Sequence, residues 1–401
     1  MNKLKLEIGR DDTLYNYSRL ITKVTFSGRK GAAPRTVDVQ IADVVDTSYI
    51  NSRKGLDCYL YLDGKEIFRG LLMTDGRSNK KTLTLKAYDD CVRLCNNKDS
   101  FSYKNKTAQY IFKDCVKKLG LSVGGSVKTG HSISELVKKG TTYWDVIEDA
   151  LSQTYKATGV RYYVYAKKGK IYLKKRQAKK TMPILSQETN IISYDFSRSI
   201  YDTRTRLKLT TSKGKKKGSV VKSSLEKKIG RFQEVETVDD DIKKSEIKER
   251  ISVFKEEKGK VSKTLKITAI GDISCVSGAC AYVKIPELNI SRMMYIDEDT
   301  HTFEGGKHTM SLTLSYDAVE VKENSGSSSG KSKDYKVGDI VRFKGGYHYS
   351  SSDAKNPAGS KCAAGKAKIT KISKNAKHPY HLIHTDSSSR VYGWVDEDTF
   401  S

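Results

Sequence analysis

The 401-residue sequence contains no run of apolar residues long enough to cross a bilayer. A spanning helix takes about 20 such residues, so we expect no membrane span. The opening residues alternate polar and apolar side chains and lack the continuous apolar segment of a secretory signal, which predicts synthesis in the cytosol. Cysteine is scarce as well. The chain has seven cysteines, and an odd number in a chain of this size favours reduced, mostly buried thiols over a disulfide framework.

The signatures of common catalytic sites are also missing. The sequence has no His-Glu-x-x-His, no Gly-x-Ser-x-Gly and no dinucleotide-binding glycine pattern. Gly326-Ser-Ser-Ser-Gly-Lys-Ser332 is one residue short of a phosphate-binding loop and follows no predicted strand. Two cysteine pairs, Cys91 with Cys95 and Cys275 with Cys280, stand alone, whereas a structural zinc site takes four ligands. We expect no catalytic residue, cofactor or metal.

What the sequence has in excess is positive charge. Lys and Arg number 74 against 47 Asp and Glu, which gives a net charge of +27. Such a field attracts nucleic acid, anionic wall polymers or acidic protein surfaces, and it says nothing about the fold. The densest lysine run, Lys213–Lys217, has no interleaved aromatic residues, which is typical of a solvated hairpin end. We expect no specific nucleic-acid binding.

Alternation of apolar and polar residues predicts two β-rich segments. The first, residues 1–97, ends in Leu83-Thr-Leu-Lys-Ala-Tyr-Asp89. The second, residues 190–321, is interrupted by a charged stretch of helical spacing near 239–254 and ends in Leu312-Thr-Leu-Ser-Tyr-Asp317. The two endings echo each other. This likeness is as compatible with chance as with two similar barrels in one chain.

The pattern changes between these segments, in residues 98–189. Thr107 and Thr142 are candidate caps for helices over 108–119 and 143–155. A hairpin over Lys-Lys-Gly follows the second helix. Two helices on a short antiparallel sheet predict a compact α+β domain.

The composition breaks after the second β segment. Residues 322–334 are a Gly/Ser-rich linker, and residues 335–401 are a short β module punctuated by glycine. This module holds four of the seven histidines and several aromatic residues, whose flat faces and polar tips suit glycan or peptide ligands. For any one of them, core packing explains the pattern equally well. The candidate ligand-binding residues are His348, Tyr349, His378, Tyr380 and Trp394.

A cysteine nucleophile in this module is the main catalytic alternative. Cys362 has candidate partners in His378, His381 and His384, and such a thiol needs a His that a third polar group orients. A module this small rarely holds both a triad and a substrate cleft. We therefore expect a buried Cys beside surface or ligand-facing histidines, and keep a peptidoglycan hydrolase targeted by the module as the alternative function.

The order and spacing of the motifs before the linker resemble a known family. From Leu4 to about Val321 the chain resembles the XkdQ/YqbQ-like hub proteins of contractile tails in Gram-positive phages, prophages and phage-tail bacteriocins. The resemblance rests on the opening β segment, the two capped helices, the hairpin ending in Ile171-Tyr-Leu-Lys-Lys-Arg176, and the closing strand. The helix motifs are Thr107-Ala-Gln-Tyr-Ile-Phe and Gly140-Thr-Thr-Tyr-Trp-Asp-Val-Ile.

The module after the linker is similar to SH3-like domains at the ends of clostridial phage lysins and tail proteins. Unlike a lysin, the chain has no recognisable catalytic domain before it. The motifs that carry this likeness are Val337-Gly-Asp339, His348-Tyr349, Gly365-Lys-Ala367, His378-Pro-Tyr-His-Leu382 and Val391-Tyr-Gly-Trp394.

Together the two resemblances imply a mainly β chain with an α+β insert: two tube-like β-barrels flank an α+β domain, and an SH3-like barrel follows. They imply a homotrimer whose six barrels join a hexameric tail tube to a threefold spike protein. Other baseplate components and the tape measure protein are further implied partners, with a bacterial cell-wall polymer as the ligand of the SH3-like domain. Assembly in the bacterial host cytoplasm would place the protein in a virion or tail-like particle, in the baseplate at the distal end of the tail. The family carries no catalytic residues in these domains.

Overall fold

The computed structural model divides the chain into two compact units, residues 1–323 and 324–401. The expected linker, residues 322–334, lies outside the described part of the chain. No helix in the described part has the length and apolar character that a membrane span requires. The described residues are 3–10, 13–43, 55–79, 81–176, 182–316, 335–373 and 376–400.

The first β segment, called the first half below, is built around one core. Alternating burial in its strands sends every second side chain inward, as period-2 geometry requires. Inward residues from six strands meet in a single hydrophobic cluster, so the sheet wraps a shared interior. The strands are β1 (Leu4–Arg10), β2 (Thr13–Asn16), β3 (Ile21–Arg29), β4 (Ala32–Ala42), β5 (Asp57–Leu62), β6 (Lys65–Ser78) and β7 (Thr82–Asp89).

The α+β insert follows the first half. Both predicted caps are confirmed: the Thr107 hydroxyl accepts a hydrogen bond from the backbone N–H of Tyr110, and the Thr142 hydroxyl accepts one from that of Asp145. The helices bury their apolar faces in one cluster with the sheet behind them. The elements are α1 (Val92–Asn96), β8 (Lys98–Thr107), α2 (Ala108–Lys118), β9 (Val123–Ser126), β10 (Ser132–Thr142), α3 (Tyr143–Thr158), β11 (Tyr162–Lys167) and β12 (Lys170–Lys175).

The second β segment carries an insertion of its own. The strands on either side of the lysine-rich run form, with one further strand, a separate three-stranded sheet, which the predicted charged helix covers. A short strand near 184, before the predicted start of the segment at 190, pairs with one of its strands. Its elements are β13 (Ile184–Ser186), β14 (Ile191–Ser199), β15 (Arg206–Thr210), β16 (Lys216–Val221), α4 (Ser223–Ile229), β17 (Gln233–Thr237), α5 (Lys244–Glu257), β18 (Ser262–Ile270), β19 (Cys280–Ile285), β20 (Ile290–Glu304) and β21 (Lys307–Ser315).

Six strands of each segment follow the same order. In the first half the order is β3-β4-β7-β6-β5-β1. In the second half, defined as β13, β14 and β18 to β21, it is β14-β18-β21-β20-β19-β13. When the six strands of each half are numbered 1 to 6 along the chain, the strand order of both halves is 2-3-6-5-4-1. They differ in one pairing, since β1 is antiparallel to β5 whereas β13 is parallel to β19. The echo between the two endings therefore lies in equivalent strands, β7 and β21.

The two halves join in one 13-stranded sheet, because β3 pairs with the C-terminal part of β20, beyond the residues that pair with β19. Arg35 donates to both carboxylate oxygens of Asp299 across this seam, at 2.6 and 2.7 Å, and the Asp299 side chain is fully buried. Ser277 donates its backbone N–H to the same carboxylate. A bidentate buried pair fixes direction as well as distance, so the halves are held in one relative position.

The C-terminal unit is a small antiparallel sheet with its own core. Its sequence pattern predicts strands at residues 337–343, 366–372 and 390–395, and strands form in all three runs. A bridge between Phe343 and Phe400 brings the end of the described chain back beside the first strand of this sheet. The strands, in both chain and spatial order, are β22 (Ile340–Phe343), β23 (Gly365–Ile372), β24 (Tyr380–His384) and β25 (Tyr392–Val395).

Candidate ligand-binding face of the C-terminal unit

Alternation along β24 and β25 separates the core of the C-terminal unit from an outer aromatic cluster. Leu382 and Val395 point into the core, so their neighbours point outward. His381 lies opposite Trp394 in the strand register, and its ring meets Trp394 and Tyr392 edge-on at centroid distances of 5.4 and 5.6 Å. We call His381, Tyr392 and Trp394 the aromatic cluster. Tyr392 is 63% exposed, which leaves a flat ring face open to a ligand.

The charge around the aromatic cluster is positive. Lys371 lies opposite His381 in the register of β23 and β24. Burial, together with the nearby ammonium of Lys371, lowers the pKa of His381 and favours its neutral form. The Nδ1 atom of His381 is 2.6 Å from the Thr370 hydroxyl. The face therefore offers aromatic rings and a neutral imidazole beside lysine, a combination suited to sugar rings carrying anionic groups.

His348 and Cys362 contact each other beside this sheet. The Sγ atom of Cys362 lies 3.3 Å from Nδ1 of His348. The partners predicted for Cys362, which were His378, His381 and His384, make no hydrogen bond with it in the described residues. The imidazole in contact with this thiol is thus that of His348, one of the candidate ligand-binding residues.

Two other predicted site residues stack on each other. The rings of Tyr349 and His378 are 3.5 Å apart and nearly parallel. His378 is 2% exposed, and its ring nitrogens are occupied by Asp396 at 2.7 Å and the carbonyl of Ala354 at 3.2 Å. A buried imidazole with both nitrogens engaged has no group left for a ligand, so we remove His378 from the proposed site.

Tyr380 belongs to the core side of the sheet. Its ring packs edge-on against Tyr335 and Phe400, at centroid distances of 6.1 and 5.1 Å. Alternation explains this placement: Tyr380 shares a face with Leu382, and the next residue, His381, faces out. Trp394, Tyr349 and, at the side of the sheet, His348 stay predictions as ligand-binding residues. The structure adds His381 and Tyr392 as candidates. The sequence could have identified both, because the alternation of side chains along each strand places them on the outer face.

All seven cysteines are free thiols, and five are buried. Within the described ranges, no group of three or more His, Cys, Asp and Glu side chains is arranged to hold a metal ion. Burial raises the pKa of Cys58 and of Cys275 to about 12, so these thiols stay protonated near neutral pH. They pack as small apolar side chains.

Comparison with known proteins covers both halves and the α+β insert. Residues 24–315 match the family model described as YqbQ-like. The protein XkdQ of the phage-like element PBSX of Bacillus subtilis strain 168 is 35% identical over 296 residues, which are 73% of this chain and 91% of that protein. The expected family is therefore confirmed at the level of sequence.

Solved structures share the fold at low sequence identity. The 43 kDa tail protein of prophage MuSo2 from Shewanella oneidensis matches with a TM-score of 0.59 and 14% identity, covering 78% of this chain and 96% of that one. A tail protein from Neisseria meningitidis MC58 matches with a TM-score of 0.60 and 13% identity, over the same shares. Sequence and fold agree, and the chain belongs to the YqbQ-like family.

Proposed function

We propose that the chain is a structural hub of the baseplate in a contractile phage tail or a phage-tail bacteriocin, without catalytic activity. In this role it is a homotrimer that joins a hexameric tail tube to a threefold spike. The observation that carries the proposal is the repeated strand order of the two halves. Two similar β units per chain let three chains present six, so one ring can meet both sixfold and threefold neighbours. The names of the relatives, a phage-like element protein and two tail proteins, support the same setting.

The ends of the 13-stranded sheet support assembly. Within the described residues the longest path of the sheet ends at β14 and at β2, and the branch through β19 ends at β13. Apolar side chains are exposed at both ends, with Ile192 at 60% and Tyr15 at 43%. An edge strand with uncovered apolar residues favours pairing with another chain. In our proposal each half curls into a tube-like barrel, and neighbouring subunits cover these edges.

The oligomeric state tests the hub directly. We expect multi-angle light scattering of the purified protein to give three times the chain mass of 44.9 kDa, and the protein to be present in purified tail particles. A protein that stays monomeric at high concentration and is absent from the particles would refute the proposal.

We further propose that the C-terminal unit is an SH3-like barrel that contacts the host cell wall through its aromatic cluster. The rings of Tyr392 and Trp394 provide stacking surfaces, and Lys371 provides charge for an anionic wall polymer. The full chain should sediment with purified walls. Trp394→Ala should lose most of this binding, while the control Val337→Ser, at an exposed residue outside the cluster, should keep it. Equal binding by both variants would show that the aromatic cluster does not bind the wall.

A peptidoglycan hydrolase remains the second candidate, because Cys362 and His348 are in contact. A catalytic pair of this kind also needs a group that orients the imidazole. In the described part of the chain, no hydrogen bond to the other nitrogen of His348 is present. Zymography on purified walls distinguishes the two functions. We expect no clearing, and clearing that Cys362→Ala abolishes would favour the hydrolase.

A further inference from the structure

A cavity of about 680 Å³ lies where the three parts of the first unit meet. Strands β3 and β6 of the first half line one side, the β11–β12 hairpin of the insert lines another, and residues 273–279 of the second half complete it. Cavities that bind small ligands usually measure roughly 300–1,000 Å³. The volume therefore suits a ligand of moderate size that touches all three parts.

The cavity lining carries more basic than acidic side chains. Five of its nine Lys and Arg side chains form ion pairs, four of them with Asp297, Glu298 or Asp299. The lining itself has only three carboxyl groups among the described residues. One of these, Glu66, is paired with Arg69 at 2.8 Å. Burial raises the pKa of a second, Glu148, to about 7, so it is about half protonated at neutral pH and mostly uncharged below it. Positive charge in a recessed site with low-dielectric walls attracts anions more strongly than the same charge on an open surface.

Arg176 lines this cavity and is 1% exposed. One of its terminal nitrogens, Nη2, pairs with Asp297 and donates to the carbonyl of Ile296, and the guanidinium lies 4.1 Å from the ring centre of Tyr295. Its Nε and Nη1 atoms have no hydrogen-bond partner in the described structure. Buried guanidinium donors are nearly always satisfied, so a pair of them without partners points to a missing water or anion.

Lysine and tyrosine side chains form the neighbouring wall. Lys168, at the hairpin turn, and Lys174, in β12, make no ion pair within the described ranges. The Lys174 ammonium lies 5.5 Å from the ring centre of Tyr165, which stacks on Tyr163 at 5.5 Å. A ligand in this cavity thus meets uncompensated charge beside flat aromatic rings.

We propose that the cavity binds an organic anion carrying phosphate or carboxylate groups, with Arg176 and Lys174 as its charged contacts. Guanidinium donors match the paired oxygens of both groups, and hydrogen bonds between charged partners are about twice as strong as neutral ones. A bound anion would link the two halves and the insert, so it would stabilise their arrangement. The site goes beyond the hub function and does not depend on it.

Calorimetry with two probes tests the site on the full chain. Tripolyphosphate represents phosphate groups and citrate represents carboxylates, both in about 150 mM NaCl to screen loose surface binding. We expect one probe to bind with one-to-one stoichiometry and to raise the unfolding temperature; the tighter probe identifies the group. Lys174→Gln should lower the affinity for that probe by about tenfold. Arg176→Lys keeps the charge but loses the paired guanidinium donors, and it should lower the affinity by a similar factor.

The matched control is Lys228→Gln, an exposed lysine of α4 outside the cavity. It removes the same charge from the same chain and should leave the affinity unchanged. Lys174 is exposed at the surface of β12, so its variant should fold even if changes at the buried Arg176 do not. Equal weakening by Lys174→Gln and Lys228→Gln, or no saturable binding of either probe, would overturn the proposal.

Discussion

The two halves share a strand order but differ in what they bury. The first half encloses a largely aliphatic core, and its sequence contains no histidine. The second half buries His301 and His308, whose ring nitrogens are 3.1 Å apart, next to the buried carboxylate of Asp299. Strand order is thus repeated while core chemistry is not. The difference shows that a repeated strand order does not require a repeated core, and that the second half supplies the buried carboxylate at the joint.

The largest expected effect is at this joint. Asp299→Ala leaves the Arg35 guanidinium, 18% exposed, without its carboxylate, and should lower the free energy of unfolding by about 3–5 kcal/mol in urea titrations. The control Glu304→Gln removes an exposed partner of Lys23 on the same seam and should cost less than about 1 kcal/mol. Similar losses in both variants would show that the buried pair does not hold the halves together.

The equivalence of the halves predicts matched losses in their cores. Leu83 in β7 and Leu312 in β21 are almost fully buried in equivalent strands. Leu83→Ala and Leu312→Ala should each lower the free energy of unfolding by about 2–5 kcal/mol. Leu14→Ala, at a 41% exposed leucine, serves as the control and should change it little. A large loss in one half with none in the other would show that the halves are not equally structured.

Acid should affect the second half in particular. Burial and the neighbouring His301 lower the pKa of His308 from 6.5 to about 4. Between those values the unfolded chain binds more protons than the folded one, so stability falls as the pH falls from 6.5 to about 4. His308→Asn should flatten this slope in urea titrations across the window. Asp89, whose pKa burial raises to about 6, acts in the opposite sense but is common to both proteins, so it cancels in the comparison.

The smallest effect is expected in the insert, which belongs to neither half. Thr107→Ala removes the oxygen that caps α2 and should cost about 1 kcal/mol, whereas Thr107→Ser keeps it. Hydrogen exchange should become faster in α2 for the Ala variant only, with the β halves unaffected. Faster exchange throughout both halves would mean that the insert supports them more broadly than its packing indicates.

Sequence patterns identified the elements that depend on residues close together in the chain. The caps at Thr107 and Thr142, the charged helix α5 and the three strand runs of the C-terminal unit each depend on residues close together in the chain, and all are confirmed. The likeness of β7 and β21 correctly marked a repeat that the strand order establishes. The boundaries proposed between domains and the SH3-like assignment stay predictions.

Long-range pairing was out of reach of local patterns. β8 and β10 are rich in polar residues, and they are strands because they pair with each other. β3 meets β20 across more than two hundred residues, and nothing in either segment alone specifies that edge. The same reason applies to His378: its burial depends on Asp396 and the carbonyl of Ala354, which only the folded sheet brings together.

Cryo-electron microscopy of the purified tail particle tests the proposed hub arrangement. We expect three copies of this chain around the tail axis, with six β halves alternating first and second at intervals of about 60°. A density in which only one half of each chain lies in the ring, or in which the chain is not trimeric, would contradict it.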